Sequence, residues 1–238
     1  MDGLPIAQVP VEHRSDPSRL VDPPEPEEVP ANAVTRRLIQ IRAADSFGQR
    51  SSASILIHRM YSGRGYRTTP LPEEQLPSRL TLVASDRSET VGTITIGFDM
   101  DDGEPLHCED LFAEEVGRLR AQGHRLCEFT KLAMDHVLDA KPVLASLFHV
   151  AYLYAFRALG YDRLLIEVNP RHVRWYVRML GFKVHGPQRL NLRVHAPAVL
   201  LMLDFGHSRE QIDLLAGHPE LGPSQRTLYP YFFSAHEE

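Results

Sequence analysis

The sequence predicts an α/β (α+β) domain in which a mixed central sheet is flanked by helices. Three observations carry this prediction. Short runs rich in β-branched and apolar residues alternate along the chain with longer segments whose apolar residues recur at helical spacing. Two strands, 79–84 and 90–98, come as a hairpin joined by the polar stretch Ser85-Asp86-Arg87-Ser88-Glu89, and later strands alternate with helices. The 238 residues, 43% hydrophobic and 24% charged, suit one globular domain with arms.

Residues 1–33 are rich in proline and acid, as in Asp22-Pro23-Pro24-Glu25-Pro26-Glu27-Glu28, and carry too little apolar surface to fold alone. They read as a flexible arm whose docking onto the domain is left open. The domain is expected over 34–220 and a C-terminal tail over 221–238. Arg37-Leu38-Ile39-Gln40-Ile41-Arg42 approaches strand alternation. A helix follows over 47–60, and Gly63, Gly65, Pro70, Pro72 and Pro77 mark its exit and a long loop. After the hairpin, Asp99, Asp101, Asp102 and Gly103 form a solvated turn. Leu111, Phe112, Val116 and Leu119 share one face of a helix over 108–122, stopped by Gly123. A strand over 126–134 precedes the most apolar helix, 143–159, which ends at Gly160. A buried strand over 162–168, a helix over 171–180 closed by Gly181, short strands near 182–185 and 199–204, and a helix over 209–215 complete the order. The tail Thr227-Leu228-Tyr229-Pro230-Tyr231-Phe232-Phe233 is apolar enough to pack on the domain or on a partner.

Composition narrows the function. A formal net charge of −5 argues against nucleic acid as the main partner. Cys108 and Cys127 give no disulfide framework, and the N-terminus lacks the basic start and apolar run of a secretion signal, so a cytoplasmic protein is expected. The longest apolar stretch, 143–156, is interrupted by Ser146 and His149 and is shorter than the roughly 20 residues that cross a bilayer, so no transmembrane segment is expected. The histidines are scattered from His13 to His236 with no pair at helical ligand spacing and no Cys-x-x-Cys, so no metal is expected.

Chemistry concentrates in Leu126-Cys127-Glu128-Phe129-Thr130-Lys131-Leu132-Ala133-Met134-Asp135, where a carboxylate, a hydroxyl and an ammonium interrupt an apolar strand. Alternation puts Glu128, Thr130 and Leu132 on one side and Phe129, Lys131 and Ala133 on the other. A carboxylate on a central strand is costly to bury without a partner or a task, and an arginine partner and a catalytic role account for it about equally. Cys127 turns away from Glu128, and His149 lies within an apolar helix; both read as core.

Two hairpin strands, a strand-helix pair, then strand-Asn-helix-Gly-Phe is the element order of the GCN5-related N-acyltransferases. Val168-Asn169-Pro170-Arg171-His172-Val173-Arg174-Trp175-Tyr176-Val177-Arg178-Met179-Leu180-Gly181-Phe182 resembles their last helix and the strand behind it. The Glu128 strand resembles the Glu-x-Ser/Thr-Arg strand of acyl-homoserine-lactone synthases. Over about 34–215 the chain is similar to the long-chain N-acyl amino acid synthases, relatives of those synthases. The Glu128 strand, Ala145-Ser146-Leu147-Phe148-His149-Val150-Ala151-Tyr152, Glu167-Val168-Asn169-Pro170-Arg171-His172 and Asn191-Leu192-Arg193-Val194-His195-Ala196-Pro197 carry the similarity. The resemblance implies an N-acyltransferase that binds no cofactor. It would move a long-chain fatty acyl group from the phosphopantetheine arm of acyl carrier protein to the α-amine of an amino acid.

Within that reading Glu128 is the base, with Thr130 and Lys131 beside it in the catalytic strand. Backbone N–H groups of Leu132, Ala133 and Met134 would meet the oxyanion if the strand splays there. Lys131, Arg59, Arg64 and Arg67 are the candidate partners of the substrate carboxylate. Leu144, Leu147, Phe148 and Tyr152 would line an acyl tunnel, a pattern that a plain core helix also explains. Arg171, Arg174 and Arg178, with Arg163, Lys183 and Arg189, would dock an acidic carrier protein; a solvated helix face explains the first three as well. Tyr176 is the nearest match to the tyrosine that protonates the leaving thiolate, although it stands five residues before Gly181 where the usual pattern has four, and packing is its other reading.

Coenzyme A users normally carry a Gly-rich pyrophosphate loop where this chain reads Asp135-His136-Val137-Leu138-Asp139-Ala140-Lys141-Pro142-Val143, without a glycine. That departure favours the carrier protein as donor. The alternatives are an acyl-homoserine-lactone-type or acyl-CoA-dependent N-acyltransferase, and a degenerate fold that only binds a carrier protein or lipid. The missing loop counts against coenzyme A, and retention of Glu128 counts against a pure binding module.

Overall fold

The computed structural model describes residues 5–13, 35–135 and 140–237. β1 (Ala7–His13) pairs antiparallel with β2 (Thr35–Ala43). It falls inside the segment expected as an arm, so part of that segment docks as an added strand, burying Val9 and Val11 in the core that holds Ile39 and Ile41. Pro10 is tolerated because β1 is the edge of the sheet. The acidic run 22–28 lies outside the described residues.

β2, β3 (Arg79–Asp86), β4 (Glu89–Phe98) and β5 (Leu126–Met134) continue the antiparallel ladder. β5 then pairs in parallel with β6 (Arg163–Val168). The sheet is completed by β7 (Lys183–Val184), β8 (Arg189–Asn191) and β9 (Ala196–Asp204), in the order β1-β2-β3-β4-β5-β6-β9-β7 with β8 also on β9. One parallel pair among antiparallel ones makes the sheet mixed, as predicted.

Helices cover both faces. On one side α1 (Phe47–Ser62) starts at a capping box between Ser46 and Gln49 and buries Ala53, Leu56 and Ile57 against Val83 and Ala133. α2 (Glu109–Ala121) packs Phe112, Val116 and Leu119 on Leu126, Leu165 and Leu200. Its acids Glu109 and Asp110 stand in the first turn and Arg118 and Arg120 in the last, which suits the helix dipole.

On the other side lie α3 (Ala140–Tyr152), α4 (Pro170–Leu180) and α5 (Phe205–Leu215), packed on the larger core. α3 passes into a π-helical segment, Leu153–Ala158, so the single helix expected over 143–159 begins earlier and changes its hydrogen bonding. α4 is capped by Asn169, has Pro170 in its first turn, and is closed by Gly181 at φ 81. α5 starts at Phe205, earlier than expected, because Asp204 accepts from the Gly206 N–H at 2.8 Å. The aromatic tail returns to the domain: Leu228, Tyr229 and Phe232 are buried in the same core, each such side chain contributing about 1.5–3 kcal/mol on removal from water.

Candidate active site

Two departures from regular pairing open the sheet at its centre. β5 and β6 pair only through Leu126–Arg163, Cys127–Leu164 and Glu128–Leu165, and beyond Glu128 the two strands part. On the opposite edge of β5, Thr95 pairs with Thr130 but Thr93 pairs with Ala133, so Lys131 and Leu132 together face Ile94 as a β-bulge, with Lys131 at φ 50. The extra residue resets the alternation. Ala133 joins the α1 side and Leu132 packs with the α3 core, the reverse of the expected assignment. Lys131, expected beside Phe129, instead sits where its charge acts on His107 and Arg79.

Glu128 stands where the strands part and is 2% exposed. Its Oε1 accepts the His107 N–H at 2.7 Å and its Oε2 the Cys108 N–H at 3.1 Å, while Arg79 Nη1 lies 3.3 Å from Oε1. The turn leading into α2 thus aims two backbone donors at one carboxylate. Gly97, directly across on β4, leaves the room: a Cβ there would overlap the Arg79 guanidinium and stand 2.8 Å from Glu128 Cγ. Burial raises the Glu128 pKa above its ordinary 4.5, against the opposing pull of the His107 N–H and Arg79. Burial, then Arg79, lowers that of Lys131. The His107 imidazole is lowered to about 4 by burial and by Arg79, Lys131 and Arg193, which keeps it neutral near pH 7.

A second carboxylate lies on the same face. Glu167 follows Leu165 by two residues on β6, just past the point of parting, and burial raises its pKa. The Asn191 side-chain amide donates to it, and Arg193 lies 3.7 Å away. Arg193 also pairs with Asp110 at 2.7 Å and donates to the His107 carbonyl at 3.2 Å. The 191–197 motif therefore braces the turn that holds Glu128.

Tyr61 of α1 donates to the Leu132 carbonyl at 3.3 Å, and Arg64 acts electrostatically on Tyr61, Tyr176 and His172. The end of α1 and the start of α4 thus meet beside the splayed part of β5. Tyr176 packs edge-on against Trp175 and Phe182, and burial raises its pKa. Thr130 shares the Glu128 face, its hydroxyl 3.5 Å from the Thr95 carbonyl.

Other candidates disperse. Arg59 is committed to Asp135 at 2.6 Å, and Arg67 is exposed on the loop after α1. A groove of about 520 Å³ along the outside of α1, lined by Phe47, Ile55, Leu71 and others, shares only Arg59 with the expected set. Phe148 and Tyr152 line a gap of about 10 Å³ in the large core; Leu147 instead approaches Gly92 of β4, and Leu144 packs half-buried on the same core. Arg171, Arg174 and Arg178 are exposed along α4. Arg163 and Arg189 are engaged elsewhere, with Asp204 at 3.2 Å and Glu115 at 2.9 Å, and do not extend that patch.

Sequence reasoning missed Arg79, Gly97, Tyr61, Glu167 and the His107–Cys108 turn as parts of the site. Glu167 and Asn191 stood in motifs already singled out, which was the available signal. Among the described residues no three His, Cys, Asp or Glu side chains converge as a metal site, and no helix is long and apolar enough to cross a membrane.

The sequence model of the family described as "N-acyl amino acid synthase FeeM" matches residues 52–204. The chain belongs to that family. The solved structure of FeeM, an N-acyl amino acid synthase from uncultured soil microbes, aligns with a TM-score of 0.65 and 27% identity, covering 73% of this chain and 95% of FeeM. The acyl-homoserine-lactone synthase LasI shares the fold, with a TM-score of 0.50, 13% identity and coverage of 70% and 89%. So does Escherichia coli ElaA, with a TM-score of 0.50, 10% identity and coverage of 70% and 99%. No curated protein matches the sequence. The protein is an acyltransferase of the GCN5-related fold, as its element order implied.

Proposed function

We propose that the protein transfers a long-chain fatty acyl group from acyl carrier protein to the α-amine of an amino acid. The observation that carries this reading is Glu128, a buried carboxylate with a raised pKa, held where β5 and β6 part. An α-amine is mostly protonated near pH 7, and attack on a thioester needs a base within reach. Glu128 takes the amine proton, directly or through water. The amine nitrogen bonds to the acyl carbon, the carbon–sulfur bond breaks, and the thiolate leaves with a proton from Tyr176.

The Asp135 N–H donates to Val91 of β4, so strand alternation turns the Leu132 and Met134 N–H groups away from β4, toward the developing oxyanion. Lys131 is the cation we assign to the substrate carboxylate, with Arg64 at the rim; Arg59 already serves Asp135. For the donor, the segment 135–143 has no glycine, and Pro142 in the first turn of α3 has no N–H to give a pyrophosphate. Arg171, Arg174 and Arg178, exposed on the helix that follows the parted strand, supply the cations an acidic carrier protein needs. Two unpaired cysteines suit a cytoplasmic site of action.

The test compares palmitoyl carrier protein with palmitoyl coenzyme A for the wild type and Arg174→Glu. The carrier is expected to support turnover, and the charge reversal to raise its KM about ten-fold with little change in kcat. Equal efficiency with coenzyme A would overturn the carrier assignment.

A further inference from the structure

The α1/α2 side of the opening is filled with polar groups: Glu128, Arg79, His107 and, past the point of parting, Glu167. The apolar side chains next to Glu128 on its own strand, Phe129 above all, face the α3 side, and a fatty chain whose thioester lies against Glu128 finds an apolar lining there. Phe129, the next residue on β5, points that way and lines the gap of about 10 Å³. Its other walls are Phe148 and Tyr152 of the α3 helix, Leu164 of β6, Leu180 of α4, and Leu203, Phe205 and Ser208 around α5. The far wall is Tyr229 and Phe232 of the C-terminal tail.

That wall differs from the rest. Like Phe205 and Ser208 it lies beyond residue 204, where the match to the family ends, but it stands on no long helix or strand: the regular structure at Tyr229 and Phe232 is the 3-10 turn Tyr229–Tyr231, after the four-residue helix Gly222–Gln225. A few side bonds pin it. The Leu228 N–H donates to Met179 O at 2.9 Å, the Tyr229 hydroxyl to Leu180 O at 2.7 Å, and the Gly217 N–H to Phe232 O at 2.9 Å. The Phe233 N–H donates to His149 Nδ1 at 3.0 Å, and the His149 ring stacks on both Phe232 and Phe233. His149, a polar residue in the most apolar helix, thereby latches the tail.

We infer that the C-terminal tail is the end wall of the acyl site, and that Phe232 and Tyr229 set the longest chain the enzyme accepts. The inference rests on the acyl-transfer reading above. A gap of this size has room for about one water. The side chains around it must move apart to admit a chain, and the tail, tied by single bonds rather than by a helix or sheet ladder, is the wall placed to yield.

The experiment measures kcat/KM for saturated acyl donors from C8 to C18, on carrier protein and on coenzyme A, for the wild type, Phe232→Leu and Phe232→Ala. Shortening the wall is expected to move the optimum to longer chains, more for the alanine variant than for the leucine variant, by roughly four-fold in relative kcat/KM per methylene newly buried. Phe232→Leu keeps an apolar wall, so the series holds if Phe232→Ala unfolds. Binding of free fatty acids of the same lengths, followed by calorimetry, reads the wall without turnover. An unchanged length preference in both variants, whatever happens to the overall rate, would overturn the inference. Absence of transfer from any donor, with fatty acid binding that still shifts with the side chain at position 232, would instead overturn the catalytic reading.

Discussion

Replacing Glu128 with glutamine removes a proton acceptor and also unbalances a buried cluster, and the two effects are separable. Both carboxylate oxygens accept backbone N–H groups, from His107 at 2.7 Å and Cys108 at 3.1 Å. Glutamine has one acceptor oxygen, so its NH₂ must face one of those donors. The buried N–H left without a partner costs about 1–3 kcal/mol. Arg79, with a side chain 10% exposed, loses its counter-charge at 3.3 Å but keeps its hydrogen bond to Pro105 O at 2.6 Å, which limits the second penalty. Together the loss comes to about 2–4 kcal/mol, a fall in Tm of roughly 5–15 °C for a chain of this size. Loss of a general base lowers kcat by about 10²- to 10⁴-fold. Thermal melts and the rate of N-acyl product formation, taken well below the variant's Tm, measure the two. A kcat within three-fold of wild type would remove Glu128 from the mechanism; an unchanged Tm would refute the hydrogen-bonding account of its burial.

Gly97→Ala drives a methyl into the Arg79 guanidinium and Glu128, so activity should fall at least ten-fold, whereas Gly92→Ala meets the flexible Met134 Sδ at 2.9 Å and should lose less; steady-state rates rank the two. Burial pushes both thiols up, so neither Cys108 nor Cys127 should react with a disulfide reagent in the native protein, and both should in denaturant; rapid native labelling of Cys127 would contradict its placement in the core. The acid limb of kcat/KM should lie above pH 4.5 and disappear in Glu128→Gln, because the carboxyl is raised. In stability the signs divide. The raised Glu128 contributes stability that is full below pH 4.5 and lost as pH rises through its folded pKa. Glu109 and Glu115, held low by hydrogen bonds from Arg120 and Arg189, contribute stability present above pH 4.5 and lost as pH falls through their folded values. Urea midpoints for Glu115→Gln should therefore fall less steeply below pH 4.5 than those of the wild type.

Elements with a strong local pattern were legible in the sequence. The β3/β4 hairpin, the α2 stripe of Phe112, Val116 and Leu119, and the Asn169-to-Gly181 frame of α4 depend on near neighbours and stand where expected. β1 was hidden because Val9-Pro10-Val11 sits in a proline-rich stretch, and only pairing with β2 shows that the proline lies at an edge. The bulge was hidden for a related reason: Lys131 at φ 50 has no glycine to announce it, and one added residue reverses the face of everything after it. Glu128 itself was visible as a charge in an apolar run. Its partners were not, because two are backbone N–H groups and Arg79 is far away in sequence, and neither leaves a local signature.

The most direct measurement is mass spectrometry of the products formed when the purified protein meets palmitoyl carrier protein and a pool of the twenty amino acids. The account predicts an N-palmitoyl amino acid, formed by the wild type and lost in Glu128→Gln. An acyl lactone in its place, or carrier protein that binds without ever losing its acyl group, would contradict it.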